Sequence, residues 1–173
     1  MEKTRHTTAL MQTRWLMLTC LVGLFALNVS CSSVDCPIQT KVYTIYSVYG
    51  AEGADTLVDS LSVWTKRKDG TDTLVMNNGQ GLTTFTLPIS YNLPVDTFVF
   101  QVTDQNKYVT IDTVWIEKEN YSHFESVDCA PSFFHEITAV RHTHRGIDSI
   151  IINHSSVDYD PSTEHFHIYF TER

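Results

Sequence analysis

The fold is decided by the stretch 97–118, which reads TFVFQVT (Thr97–Thr103), DQNK (104–107) and YVTIDTVWIEK (Tyr108–Lys118). Both arms are rich in β-branched and aromatic residues, and the four polar residues between them favour a turn. Residues of these types are common in strands because they pack well on a pleated, half-buried surface. The stretch therefore predicts a β-hairpin.

The same pattern recurs on both sides of the hairpin. It predicts strands at Lys41–Tyr49, Thr56–Lys66, Thr71–Met76, Leu82–Ile89, Thr97–Thr103, Tyr108–Lys118, Phe133–Thr143, Ile147–Val157 and Glu164–Thr171. Asn77-Asn78-Gly79 predicts a turn, and the stretch 119–132 predicts an irregular connection. After residue 30 the sequence has no apolar period of helical length. The sequence thus predicts an all-β fold, a single antiparallel β-sandwich of the immunoglobulin-like type, with a small closed barrel as the alternative.

Alternation along a strand also assigns the faces of two predicted strands, since every second side chain points the same way. On the second arm of the hairpin we expect one core row, formed by Val109, Ile111 and Trp115. In the last strand we expect Phe166, Ile168 and Phe170 to point inward. The side chains expected to point outward there are His165, His167 and Tyr169.

The N-terminal segment has the layout of a lipoprotein export signal. Arg14 precedes an apolar run, Trp15–Leu27, of 13 residues, and Ser30 then precedes Cys31. A membrane-spanning helix needs about 20 apolar residues, so a cleaved signal is favoured over a span. We therefore expect a signal peptide at 1–30, a lipidated tether at 31–40 and the β-sandwich at 41–173. Secretory cleavage near Ser30, with Cys31 left as a thiol, is the alternative.

Charge and cysteine content indicate the kind of partner and the redox compartment of the protein. The chain carries 12 basic and 20 acidic residues, a net charge of −8, and this acidic excess argues against nucleic-acid binding, which needs a basic surface. With Cys20 lost with the signal and Cys31 acylated, Cys36 and Cys129 remain as an even pair in an oxidising compartment. We expect them to form a disulfide; the alternative is two unpaired thiols.

Histidine offers the one pattern with metal-binding chemistry. His142 and His144 form one His-x-His pair, and His165 and His167 form another. On a strand, residues i and i+2 share a face, so two such pairs on neighbouring strands predict a four-ligand surface site for zinc or copper. The alternative is that all four are ordinary solvent-facing strand residues.

A family resemblance covers most of the exported chain. The residues that carry it are Cys31 with Cys36, Leu87-Pro88-Ile89, Val127-Asp128-Cys129-Ala130-Pro131, Gly146–Asn153 and His165–Phe170. Together they resemble the Bacteroidota lipoproteins grouped as domain-of-unknown-function family 6452. The resemblance implies an envelope location and a two-cysteine domain, and it implies no activity.

The sequence favours a binding role over an enzymatic one. It has no Gly-x-Ser-x-Gly motif for a hydrolase nucleophile, and its Asp pairs lie in predicted turns, where solvated carboxylates are common. We therefore expect a non-enzymatic protein without a cofactor, anchored by its lipid in the cell envelope and facing the periplasm. Its partners would be the membrane and an envelope or outer-membrane protein. The alternative is a metal-binding periplasmic protein that uses the His-x-His pairs.

Overall fold

The computed structural model describes residue 36, residues 41–67 and residues 69–171. This part of the chain is built from β-strands and contains no helix, and so no helix long and apolar enough to cross a bilayer. The strands are β1 (Tyr43–Gly50), β2 (Gly53–Ala54), β3 (Ser60–Lys66), β4 (Asp72–Gly79), β5 (Thr84–Pro88), β6 (Val95–Thr103), β7 (Val109–His123), β8 (Ser132–His142), β9 (Ile147–Ile152), β10 (Ser156–Val157) and β11 (Phe166–Phe170). The predicted all-β fold is confirmed.

The strands form two sheets, as a β-sandwich requires. The five-stranded sheet has the order β2-β1-β11-β9, with β5 also paired to β1, and the six-stranded sheet has the order β10-β8-β7-β6-β3-β4. The predicted hairpin is confirmed as β6–β7, with Thr103 opposite Val109. The prediction of a purely antiparallel fold is wrong at one pair, because β11 runs parallel to β1 with Tyr46 opposite Phe166.

The core between the sheets is centred on aromatic side chains. Tyr46 of β1 is fully buried, and its ring stacks on Phe85 at 4.9 Å and on Phe166 at 4.8 Å between centroids. Phe100 of the opposite sheet meets Tyr46 edge-on at 6.1 Å. Offset and edge-on pairs of this kind add about 0.5–1.5 kcal/mol each beyond the burial of apolar area. The cluster therefore joins β1, β5 and β11 to the second sheet.

The predicted core row of β7 is wrong. Val109 and Ile111 are 44% and 45% exposed, and Trp115 is half-buried on the outer face. The buried face of β7 consists instead of Thr110, Asp112, Val114, Ile116 and Lys118. The inward face of β7 was predicted wrongly, because that face carries polar residues that make specific hydrogen bonds inside the molecule.

Three predicted segment boundaries also need correction. Asn77-Asn78-Gly79 ends β4 rather than forming a separate turn, with Asn78 in a left-handed conformation at φ 49°. β7 continues to His123, five residues beyond its predicted end. The predicted strand Ile147–Val157 is divided between the two sheets, because β9 pairs with β11 and β10 pairs with β8. The chain crosses between the sheets after Ile152.

Candidate functional site

An open cleft of about 1070 Å³ lies at one end of the sandwich. The end of β1, the β1–β3 connection, the β6–β7 turn, the start of β9 and the end of β11 meet there. Four carboxylates line it, from Asp55, Asp59, Asp104 and Asp148. Tyr49 and Tyr169 contribute aromatic rings to the same cleft. We call this concavity the acidic cleft.

Backbone hydrogen bonds hold the acidic residues of the cleft in place. The backbone N–H of Asp55 donates to the carbonyl of Val48 at 2.9 Å, which returns the chain beside β1. A Cβ at Gly50 would lie 2.8 Å from Asp55 Oδ2, so a larger residue at this position would displace the Asp55 side chain. Asp104 closes the β6–β7 turn, where its Oδ1 accepts a hydrogen bond from the backbone N–H of Tyr108 at 2.8 Å. The positive φ of Lys107, 67°, completes that turn.

The lining of the acidic cleft combines carboxylates with tyrosine rings. Among its described lining residues there is no Lys, Arg or His, so the four carboxylates face the cleft without a basic neighbour there. The described residues also contain no group of three or more His, Cys, Asp and Glu side chains arranged to hold a metal ion. Carboxylates beside tyrosine rings match a cationic group through charge and cation–π attraction.

A residue far inside the sandwich shapes one wall of the cleft. Asp112, on the buried face of β7, accepts hydrogen bonds from four donors in the β8–β9 turn. These are Thr143 Oγ1 at 2.5 Å and the backbone N–H groups of Arg145 at 2.9 Å, Gly146 at 2.6 Å and Ile147 at 2.9 Å. Burial raises the pKa of Asp112, but these hydrogen bonds outweigh it and the pKa lies below its usual value.

The β8–β9 turn connects Asp112 to the wall of the cleft. The carbonyl of Gly146 accepts a hydrogen bond from the backbone N–H of Thr171 at 3.0 Å, and Thr171 and Asp148 both line the cleft. Gly146 lies close to β7, because a Cβ there would approach Thr110 Cγ2 to 3.0 Å and crowd that side chain. The role of Asp112 was not predicted from the sequence. The available signal was its place in the alternation of β7, on one face with Val114 and Ile116.

A second buried polar group, at the other end of β7, was also missed. Lys118 is buried and pairs with Asp96 at 3.3 Å, and its ammonium also donates to the carbonyl of Leu93 and to Asn120 Oδ1. His135 Nδ1 lies 2.7 Å from the same Asn120 oxygen. Burial and then the charge of Lys118 lower the pKa of His135 to about 4. The group fixes the β5–β6 connection to β7 and β8.

The predicted disulfide is confirmed. Cys36 and Cys129 are bonded, with Cα atoms 5.4 Å apart. Cys129 lies in the β7–β8 loop, which follows His123. The disulfide and the acidic cleft therefore lie at opposite ends of β7, whose 15 residues span roughly 50 Å at the usual rise of a strand. Cys31, the predicted lipidation site, lies outside the described residues.

The predicted four-histidine site is not assembled in the structure. His142 and His144 are neighbours, with ring centroids 4.3 Å apart. His167 instead stacks on Tyr49 at 4.0 Å and lies 3.2 Å from Glu164. The described residues hold no cluster with enough ligands for a metal. The two His-x-His pairs thus belong to separate surroundings.

The outward placement of His165 is wrong. His165 precedes β11 and is buried, with its Nδ1 accepting a hydrogen bond from the backbone N–H of Ile45 at 3.0 Å. The backbone N–H of His165 also donates to the carbonyl of Ile45 at 3.0 Å. Burial, and then the nearby His154, lower its pKa. His165 therefore extends the pairing of β11 with β1 and is not presented to a ligand.

These features define a disulfide-linked, two-sheet β-domain with an open acidic cleft at one end. Residues 60–170 match the model of a family of unknown function, DUF6452, and the chain belongs to that family. No significant match was found among the curated proteins or among the solved structures. The resemblance noted in the sequence is thus confirmed at the level of the domain family.

Proposed function

We propose that this chain is a lipid-anchored, non-enzymatic protein of the Bacteroidota cell envelope that binds a protein partner through its acidic cleft. Its signal peptide, residues 1–30, is removed on export, and acyl chains on Cys31 hold the domain to the membrane on the periplasmic side. The sandwich serves in the manner of immunoglobulin-like domains, which bind through the connections at one end.

The observation that carries this proposal is the opposite placement of the disulfide and the cleft. The disulfide fixes Cys36, five residues after Cys31, to the β7–β8 loop at one end of β7. The cleft opens at the other end, beside the β6–β7 turn. A domain tethered at its disulfide end leaves the cleft accessible to a partner.

The charge of the cleft indicates the chemistry of that partner. Four carboxylates without a basic neighbour in the described lining attract Lys or Arg side chains and speed encounter with a basic surface. Tyr49 and Tyr169 supply the aromatic surface on which guanidinium groups stack. A partner segment with exposed basic residues fits this combination.

Site-specific photocrosslinking in intact cells tests the proposal. A photoreactive amino acid replaces Val58, an exposed residue that lines the cleft, and a matched control replaces Leu74, an exposed residue of the edge strand β4. We expect a discrete adduct from position 58 and none from position 74. We also expect the adduct to weaken when Asp59→Asn and Asp148→Asn are introduced together.

Two results would contradict the proposal that the acidic cleft binds the partner. An adduct from position 74 but not from position 58 would assign the partner to the edge strand β4. An adduct at position 58 that is unchanged by the two Asp→Asn substitutions would show that the carboxylates do not recognise the partner. Thermal unfolding of each variant, measured in parallel, checks that the domain is folded.

A further inference from the structure

A second surface feature lies at the opposite end from the acidic cleft. Val127 and Phe124 of the β7–β8 loop are 98% and 61% exposed, although both are apolar. Tyr91 and Tyr121 are exposed at the same end, where Tyr91 packs on Phe133 at 5.3 Å and Tyr121 on Phe134 at 6.1 Å. We call these four residues, Tyr91, Tyr121, Phe124 and Val127, the anchor-end patch. Phe133 and Phe134 are consecutive residues of β8 and point to opposite faces of the sheet, so the two tyrosines flank the loop on opposite faces. Phe124 and Val127 are exposed together in one loop, and apolar side chains exposed in this way usually mark an interaction surface.

Covalent connections place this patch close to position 31. Five residues separate Cys36 from Cys31, and an extended chain spans at most about 3.6 Å per residue, or roughly 18 Å. The disulfide then adds 5.4 Å between the Cα atoms of Cys36 and Cys129. Val127 is only two residues from Cys129 in the chain. The loop therefore stays within a short reach of position 31 in any arrangement of the tether.

We propose that the anchor-end patch docks on the membrane that holds the lipid, with Phe124 and Val127 inserted at the boundary between headgroups and acyl chains. The tyrosines suit the headgroup level, where aromatic rings with a polar end are enriched. The charged residues of the loop, Glu125 and Asp128, are acidic. Attachment is thus apolar and does not depend on anionic lipid. The domain then contacts the bilayer through its β7–β8 loop, and the cleft faces away from the bilayer.

This inference rests on the proposed acylation of Cys31, because the lipid supplies the tether that brings the loop to the surface. A membrane anchor of two or more acyl chains already gives stable attachment. The patch therefore contributes orientation: with one flexible tether alone the domain would tumble, whereas two attachments fix which end faces outward.

Depth-dependent quenching tests the docking. The full chain, acylated in its native host, is purified and reconstituted in phosphatidylcholine vesicles that contain lipids brominated on their acyl chains. Phe124→Trp places a reporter in the patch, and Val58→Trp, at another exposed position, places a matched reporter in the acidic cleft. We expect roughly twofold quenching of the added fluorescence at position 124, because interfacial side chains lie about 5–10 Å into this boundary. At position 58 we expect none.

The outcomes separate the docking from the anchor. Vesicles that float with bound protein, yet leave the tryptophan at position 124 unquenched, would overturn the docking and leave the anchor standing. Equal quenching at positions 124 and 58 would overturn the fixed orientation. Protein that does not float with the vesicles would overturn the acylation and, with it, this inference. Both substituted positions are exposed, and thermal unfolding confirms that each variant is folded.

Discussion

Asp112 is the residue whose role the structure explains most fully. Its buried carboxylate holds the β8–β9 turn through four hydrogen bonds, and that turn supports the wall of the acidic cleft. In Asp112→Asn, an amide group would replace an oxygen that accepts backbone N–H donors. Charge-assisted hydrogen bonds contribute about 1.5–3 kcal/mol and a buried unsatisfied donor costs about 1–3 kcal/mol. We expect the free energy of unfolding, measured with urea, to fall by roughly 2–4 kcal/mol.

A matched substitution controls for the loss of a charge. Asp72 begins β4 and is exposed, so Asp72→Asn should change the free energy of unfolding by less than about 0.5 kcal/mol. Equal effects of the two substitutions would contradict the structural role of Asp112.

The low pKa of His135 predicts how the free energy of unfolding depends on pH. Its pKa is lowered to about 4 in the folded state, chiefly by burial, whereas an unfolded histidine titrates near 6.5. The unfolded state therefore binds more protons between these values, so this contribution is complete above pH 6.5 and is lost as the pH falls towards 4. We expect the decline in unfolding free energy over this window to be shallower in His135→Gln.

A substitution of Lys118 tests the cause of the low pKa of His135 more directly. The charge of Lys118 is the second cause of the low pKa of His135. Lys118→Met should therefore raise the pKa of His135 in an NMR titration, in addition to destabilising the fold. A pKa of His135 that stays the same would show that the two residues do not interact as the structure indicates.

Single residues were predictable from sequence only where chemistry left few options. The pairing of Cys36 with Cys129 followed from counting the cysteines that the predicted signal cleavage and acylation would leave. The placement of His165 and of Ile111 did not, because alternation gives two faces without saying which is buried. The buried face of β7 includes Asp112 and Lys118, whose partners, such as Gly146 and Asp96, are distant in sequence. Such partners become visible only when the strands are in register.

At the scale of elements, the disulfide ties the segment at Cys36 to the β7–β8 loop. It closes a loop with a sequence separation of 93 residues. In the chain-entropy account, such a bond stabilises the fold by constraining the unfolded chain, typically by about 2–4 kcal/mol. We expect the double substitution Cys36→Ser with Cys129→Ser to lower the free energy of unfolding by that amount. A reducing agent should lower the stability of the parent protein and leave the double variant unchanged.

Strand β11 holds the five-stranded sheet together, since it lies between β1 and β9. Ile168 of β11 is fully buried, whereas Ile151 of its neighbour β9 is 50% exposed. Truncation of a buried isoleucine to alanine costs roughly 2–5 kcal/mol, so Ile168→Ala should destabilise the domain by that amount. Ile151→Ala, the same chemical change at the surface, should cost far less in the same denaturant titration. Similar losses would indicate that β11 is not central.

Elements were predicted better than their arrangement. Composition and turn residues located the strand segments, because both signals are local. The parallel pairing of β11 with β1 could not be read in this way, since it joins segments more than 100 residues apart in sequence. The division of Ile147–Val157 between two sheets likewise depends on which neighbours the strand meets after Ile152.

At the scale of the whole molecule, the disulfide lies at one end of the domain and the acidic cleft at the other. The disulfide joins Cys36 to the β7–β8 loop, and the cleft opens beside the β6–β7 turn at the far end of β7. The disulfide end was predictable, because its cysteines are marked in the sequence. The acidic cleft was not, since its four aspartates come from separate connections that meet only in the folded sandwich.

The most direct test of this account is the intact mass of the protein recovered from the membrane fraction of its native host, before and after reduction. We expect a chain that begins at Cys31, carries acyl chains on that residue and gains two hydrogens on reduction, as one disulfide requires. A chain that retains residues 1–30, lacks acyl groups and shows no change on reduction would contradict it.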